Sequence, residues 1–328
     1  MANIEFFTGF EGCASTDDLQ SFVATLDNTV YRSTGGYDDG RCIDIFYRSG
    51  HFRINCNAAK TKVVGFHVKE LNARSSYDSR IEYNLISFDS DSFSIVFHNS
   101  STGLKVYRDE TLIASCATVL PSTLQHIEIK VFSDSAAGTV QVKQDGETIL
   151  DASSLNTGGE DFESIRFGCT YRDHVYYDNI FFADDWCGEL KSYLLLPDGD
   201  DTAQFTPSEG SDNYAMVDDD GQDGDTTYVE SATVGDKDIY TFSDLPSGVS
   251  PAALTLVYVD RKDGLGSRQL KTLAVQDAVE YALDQFAVRL EYPAAYNTAH
   301  FDVLNSSPDG SALDLNKVNA MKFGYEVA

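Results

Sequence analysis

Basic residues are scarce in this sequence: 24 Lys and Arg stand against 52 Asp and Glu, a formal net charge of -28. Affinity for nucleic acid rests on cations that displace condensed counterions from phosphates. DNA, RNA and anionic membranes are therefore excluded as main partners, and the acidity speaks first to solubility. Long apolar runs are missing as well. A membrane-spanning helix needs about 20 apolar residues, and no stretch approaches that, so no membrane insertion is expected. The opening Met1-Ala2-Asn3-Ile4-Glu5 has neither a basic region nor an apolar core, so no signal peptide is expected.

Reactive constellations are also lacking. The six cysteines, Cys13, Cys42, Cys56, Cys116, Cys169 and Cys187, form no C-x-x-C pair and have no histidine at metal spacing. Reduced core thiols in a cytoplasmically made protein are expected, and disulfides are the reading for an exported one. His51, His67, His98, His126, His174 and His300 never fall in pairs spaced for a metal, so His67 and His126 read as strand residues rather than ligands or bases. No G-x-S-x-G, H-E-x-x-H or phosphate-cradling G-x-x-x-x-G-K-[ST] string occurs. A polysaccharide hydrolase needs two carboxylates flanking the scissile bond. The nearest string, Cys42-Ile43-Asp44-Ile45-Phe46, lacks flanking glutamates, so no catalytic residue and no enzyme activity are assigned.

What is present is β-pattern. A chain of 328 residues with 42% hydrophobic and 23% charged residues is globular and long enough for two domains. Period-2 alternation dominates. Ser92–His98 reads as a strand, and Gly103–Tyr107 pairs with Thr111–Ala114 as a hairpin. In His126–Phe132 the residues Ile127, Ile129 and Val131 share one face while Glu128 and Lys130 share the solvent face, the pattern of a half-buried strand. Thr139–Lys143 returns, and Asp145-Gly146 supplies a tight turn before Thr148–Asp151. Short helices are predicted over Leu19–Ala24, capped from Thr16-Asp17-Asp18, and over Leu315–Asn319, capped by Asp314. Further strands are predicted at Ile239–Phe242, Leu254–Val259, Phe286–Tyr292 and Met321–Val327.

Composition shifts after Trp186-Cys187-Gly188. Between Asp198 and Asp238 there are thirteen acids and one Lys, which predicts long solvated loops. Within them Asp219, Asp223, Gly224, Asp225 and Glu230 reproduce part of a calcium-loop register, with glycine sixth and glutamate twelfth. Gly221 at a ligand position and the absence of flanking helical pattern count against it, so weak Ca2+ binding and a merely hydrated loop both stand as readings. No other cofactor is expected. Among 18 Tyr, 20 Phe and one Trp, Tyr171, Tyr176 and Tyr177 cluster with Asp173 and Asp178. Such a group suits a glycan or interface contact, or the closing of a sandwich.

The resemblance to known proteins lies in three places. His126–Phe182, ending in Tyr176-Tyr177-Asp178-Asn179-Ile180-Phe181-Phe182-Ala183-Asp184, resembles a concanavalin-A or laminin-G domain. Leu194–Ser208, Asn213–Asp218 and Asp225–Val229 follow, then Lys237–Phe242 and Val318–Val327. In this order they resemble the two-domain layout of tailed-bacteriophage virion structural proteins, tail-associated or capsid accessory. The resemblance implies an all-β chain of two β-sandwich domains: a concanavalin-A-like (LamG-like) jelly roll over 1–188 and a smaller C-terminal sandwich over 189–328. It implies a location in the virion after synthesis in the host cytoplasm, other virion proteins as partners, homo-oligomerisation, and no catalytic residues. The alternative is a carbohydrate-binding module that attaches to a host-surface glycan, with a polysaccharide hydrolase third.

Overall fold

The computed structural model describes residues 2–10, 25–27, 29–32, 34, 36–37, 40–45, 50–71, 83–100, 102–118, 123–168, 174–221, 223, 225–261, 269–287, 297–300 and 303–328. The chain divides into two compact units, Met1–Ser192 and Tyr193–Ala328. The helix predicted at Leu19–Ala24 lies outside the described residues, as do Tyr171 and Asp173.

Two antiparallel sheets build the first unit. The strands in chain order are β1 (Ile4–Thr8), β2 (Thr25–Asp27), β3 (Thr29–Arg32), β4 (Cys42–Ile45), β5 (His51–Ala59), β6 (Thr61–Leu71), β7 (Tyr83–Asp89) and β8 (Ser94–Ser100). They continue as β9 (Gly103–Arg108), β10 (Thr111–Cys116), β11 (Gln125–Phe132), β12 (Gly138–Gln144), β13 (Glu147–Leu155), β14 (Phe162–Gly168) and β15 (His174–Ala183). One sheet runs β13-β12-β11-β6-β15-β4-β3, with β1 also on β15, and the other runs β10-β9-β8-β7-β14-β5-β2. The fold is thus an all-β sandwich of the jelly-roll kind. Both predicted hairpins form, β9 with β10 and β11 with β12. Asp145 and Gly146 join β12 to β13 with φ of 48° and 84°, the mirror-image turn whose twist suits a hairpin.

The inward residues of both sheets form one apolar cluster, in which Phe66 and Tyr177 of the larger sheet meet Phe52 and Phe167 of the smaller. Phe167 stacks on Phe52 at 4.8 Å and meets Phe66 and Tyr177 edge-on at 5.5 Å and 5.3 Å. Each such ring contributes roughly 2–3 kcal/mol by burial. Tyr177 is fully buried, and its hydroxyl donates across the core toward the carbonyls of Leu85 (2.7 Å) and Gly168 (3.1 Å). It therefore pins β15 to β7 and β14.

The second unit has a five-stranded antiparallel sheet, two short ladders and a helix. Its strands are β16 (Pro197–Ala203), β17 (Thr206–Pro207), β18 (Val229–Glu230), β19 (Lys237–Phe242), β20 (Val257–Asp260), β21 (Gln269–Gln276), β22 (Val279–Ala287), β23 (Asn297–His300) and β24 (Lys322–Val327). The sheet order is β16-β19-β24-β21-β22, and the ladders are β17-β18 and β20-β23. Helix α1 (Leu315–Ala320) starts where predicted, with the Asp314 side chain accepting the Lys317 N–H.

Several expectations are corrected here. The acidic segment begins not as loop but as β16, which among the described residues pairs only with β19, at a sheet edge where a strand can show its acids to water and repel other edges. Leu254–Val259 is strand only from Val257, Leu254 making an isolated bridge to Leu304. β22 starts at Val279, well before the predicted Phe286, and Val288–Tyr292 lie outside the described residues.

A buried carboxylate organises the acid-rich segment. Asp238, fully buried, accepts the backbone N–H groups of Gln204 (2.7 Å) and Phe205 (2.8 Å) on Oδ1. On Oδ2 it accepts the Asn213 side-chain amide (2.7 Å) and the Tyr240 hydroxyl (2.8 Å). Burial first, then Tyr325 and Asp238, push the Tyr240 phenol far above its ordinary range, so it stays a donor.

Two outcomes follow. Tyr177→Phe strips two core carbonyls of their donor and is expected to lower the unfolding free energy by about 1–2 kcal/mol in chemical denaturation. Asp238→Ala orphans four donors and is expected to cost roughly 3 kcal/mol or more, confined to the transition of the second unit.

Candidate functional site

The larger sheet of the first unit has a polar outer face. Alternation sends Phe66, Ile127 and Tyr177 inward, so their neighbours His67, His126, Tyr176 and Asp178 point out. The strand order then lines these residues up in rows. Tyr176 on β15 lies directly between Asp44 on β4 and Lys69 on β6. One step along, His67 on β6 lies between Asp178 on β15 and His126 on β11. At Asn179, φ 46°, β15 bulges, and the next outward residue is Phe181, whose ring lies where a Cβ at Gly65 would stand.

The first row is the open one. Asp44 is fully buried and is bound from two sides: Arg32 donates from Nε (2.9 Å) and lies at 2.7 Å through Nη2, while His174 Nδ1 lies 2.9 Å and 3.0 Å from its oxygens. Arg32 and His174 remain about 45% and 37% exposed, so the carboxylate orients two nitrogen-bearing side chains that face solvent. Burial, and then the charge of Asp44, raise the Tyr176 phenol, which keeps its proton. Chemically this is a hydrogen-bonding surface formed by Arg32, His174, Lys69 and Tyr176. Both oxygens of Asp44 are engaged by Arg32 and His174.

The second row is covered. Segment 186–192 crosses it, and the Glu128 carboxylate accepts the N–H groups of Cys187 (2.7 Å) and Gly188 (3.2 Å). That corrects the expectation that Glu128 faces water: it is 1% exposed because the segment closes over it. Lys130, its partner in the pattern, stays half-buried and pairs with Asp185 at 2.7 Å. Glu189 reaches His67 Nε2 at 3.1 Å, and the Asp178 carboxylate accepts the Tyr37 N–H at 2.7 Å.

The described residues of the tyrosine cluster thus separate. Tyr176 stands in the open row. Asp178 is buried in the covered row, Tyr177 is a core residue and no surface contact, and Tyr171 lies outside the described residues. Of the calcium-loop residues, Asp219 and Asp223 converge on the Thr227 hydroxyl at 3.1 Å and 2.9 Å. Asp225 turns to Arg261, and Glu230 sits in β18 opposite Thr206. Gly224 lies outside the described residues, and among those described no three His, Cys, Asp or Glu side chains converge as a metal set. Arg32, Lys69, His174 and Asp44 were not singled out in the sequence as contacts. Their signal was outward parity on half-buried strands, which identifies a face but not which strands adjoin.

No family model matches the sequence, and no curated protein matches it. Solved structures show distant likenesses. A "Cellulose induced protein, Cip1" is 12% identical with a TM-score of 0.41, over 56% of this chain and 99% of its own. A galectin-like protein of unknown function from Bacillus subtilis is 13% identical with a TM-score of 0.36, over 56% and 98%. Carbohydrate-binding module CBM66 from Bacillus subtilis is 12% identical with a TM-score of 0.32, over 48% and 97%. By their names such neighbours include both carbohydrate-binding modules and lyase or hydrolase domains. At these identities and TM-scores the likenesses bear on neither shared chemistry nor a phage origin.

Proposed function

We propose that the chain is a non-enzymatic carbohydrate-binding protein and that its first unit holds sugar on the open row, with Arg32, Lys69, His174 and Tyr176 as contacts and Asp44 as the residue that positions two of them. The observation that carries this reading is the Arg32–Asp44–His174 bridge beside Tyr176. A buried acceptor holds planar donors at the surface, where they meet ring hydroxyls without first losing rotamer freedom. Three nitrogen-bearing side chains gathered on a chain of net charge -28 favour a glycan that itself carries carboxylates.

Retardation in affinity gels cast with neutral or uronate-rich polysaccharides tests it. Uronate-rich gels are expected to retard the protein more, and Arg32→Ala and Tyr176→Ala each to weaken retention about tenfold or more. Tyr177→Phe should leave retention unchanged. Equal mobility of wild type and both alanine variants in every gel would overturn the reading.

A second reading is a structural subunit of a tailed-phage particle that self-associates and contacts other virion proteins. It is favoured by Val257 and Val259, 41% and 39% exposed on β20. Sedimentation at micromolar concentration is expected to give a multiple of the 36.1 kDa chain mass, reduced to the monomer by Val257→Asp with Val259→Asp. A wild-type monomer would dismiss it.

A further inference from the structure

The covered row is built so that a proton has nowhere to go while the cover is closed. His67 and His126 face each other across β6 and β11, ring centroids 5.3 Å apart and side chains 2% and 3% exposed. His67 donates Nε2–H to Glu189, which leaves Nδ1 as the basic nitrogen, and among the described residues that atom has no hydrogen-bond partner. His126 Nε2 has none either. Two neighbouring imidazoles thus each present a buried nitrogen without a partner among the described residues.

The cover is the segment from Trp186 to Ser192, held by a few contacts. Glu128 takes the N–H groups of Cys187 and Gly188, Glu189 takes His67, and Asn179 Oδ1 takes both N–H (2.8 Å) and hydroxyl (3.0 Å) of Ser192. The Lys191 ammonium lies 4.1 Å from the Tyr37 ring centre, and Lys143 lies 4.0 Å from that of Trp186. No strand pairing holds the segment, so it can open without unzipping a sheet.

We propose that residues 186–192 are a proton-released cover over a second, concealed stretch of the sugar-binding face, with His67 and His126 as the trigger. Protonating either ring places a cation beside the other ring with no acceptor on the new N–H. The charged groups that face the pair are Asp178 from β15, Asp145 from the turn after β12, Glu128 and Lys69 from the pair's own strands, and Glu189 and Lys191 from the cover. Tyr37 and Phe181 supply uncharged rings. Asp178 is already engaged by the backbone N–H groups of Tyr37 and Asn179. Opening the cover lets water solvate the imidazolium.

The direction of the proton linkage agrees. Burial, then the neighbouring His67, push His126 down to about 4, and burial lowers His67 against the opposing pull of Glu189. A histidine pKa depressed in the closed state stabilises closure above the open-state value of about 6.5 and loses that effect as pH falls toward 4. His126 alone then raises the open-to-closed ratio on the order of a hundredfold between pH 7 and pH 4. Glu128 is raised by burial, so its protonation loosens the grip on Cys187 and Gly188 in the same direction.

Amide hydrogen exchange on the full chain reads the opening without any sugar. Corrected for intrinsic rates, protection at Cys187, Gly188 and Ser192 is expected to fall about a hundredfold from pH 7 to pH 4, while Val64, Ile127 and Ile129 keep theirs. Emission of Trp186, the single tryptophan, should shift over the same range. In a His67→Gln, His126→Gln double variant the dependence should shrink to a few-fold. If that variant does not fold, the histidine ring signals of the wild type must titrate with the exchange transition. Protection that ignores pH, that falls together with the core strands, or that is unaltered in a folded double variant would overturn the proposal. That the uncovered row binds sugar rests on the reading above. It is tested separately, as stronger retention of the wild type in uronate-rich gels at pH 5 than at pH 7, so failure there leaves the opening itself standing.

Discussion

The meeting of four rings between the two sheets, Phe66 and Tyr177 on one side and Phe52 and Phe167 on the other, is the contact on which the first unit's geometry depends. Phe66, Tyr177 and Phe167 lie on central strands, and Tyr177 adds a polar tie from its hydroxyl to the backbone of the opposite sheet. Because the side-chain period of a strand is two, fixing Tyr177 and Phe66 inward fixes Tyr176, Asp178 and His67 outward. A one-residue slip would bury the charges and expose the rings. The core therefore does more than stabilise the sandwich: it decides which polar residues share a face.

That outer face carries an unusual load of buried polar groups. Asp44, Asp178, Glu128, His67 and His126 are all nearly inaccessible. A buried charge is costly unless bonded, and each carboxylate here is bonded: Asp44 to Arg32 and His174, Asp178 to two backbone N–H groups, Glu128 to two more. The histidines meet the cost differently, by staying neutral. The face thus divides into an exposed row whose side chains are held in place by Asp44 and a covered row of buried histidines.

The second unit uses the same device at smaller scale. Among its described residues Ala274, Met321 and Phe323 form an apolar cluster. Asp238 draws Gln204, Phe205, Asn213 and Tyr240 around one carboxylate, and Asp200 accepts the N–H groups of Asn213 and Tyr214. Acids that looked like a solvated run include two that bind backbone. Composition counts charges but does not reveal which of them find donors.

Local sequence was enough for the strand pattern, both hairpins, the Asp145-Gly146 turn and the Asp314 cap, because period-two alternation, left-handed φ at Asp-Gly and side-chain capping are all effects among near neighbours. It was also enough to say that His67 and His126 belong to strands. It did not reveal that Glu128, on the expected solvent side of β11, lies beneath a segment some sixty residues later, or that Tyr176 and Tyr177 play opposite parts. Nor did it join Arg32, Asp44, Lys69 and His174, which come from four strands and up to 142 residues apart in the chain. Strand order and cover are set by long-range pairing, whose cost is loop closure and whose return is burial shared across the whole sandwich. No short window of residues contains either quantity, and so the candidate site exists only once the chain has folded.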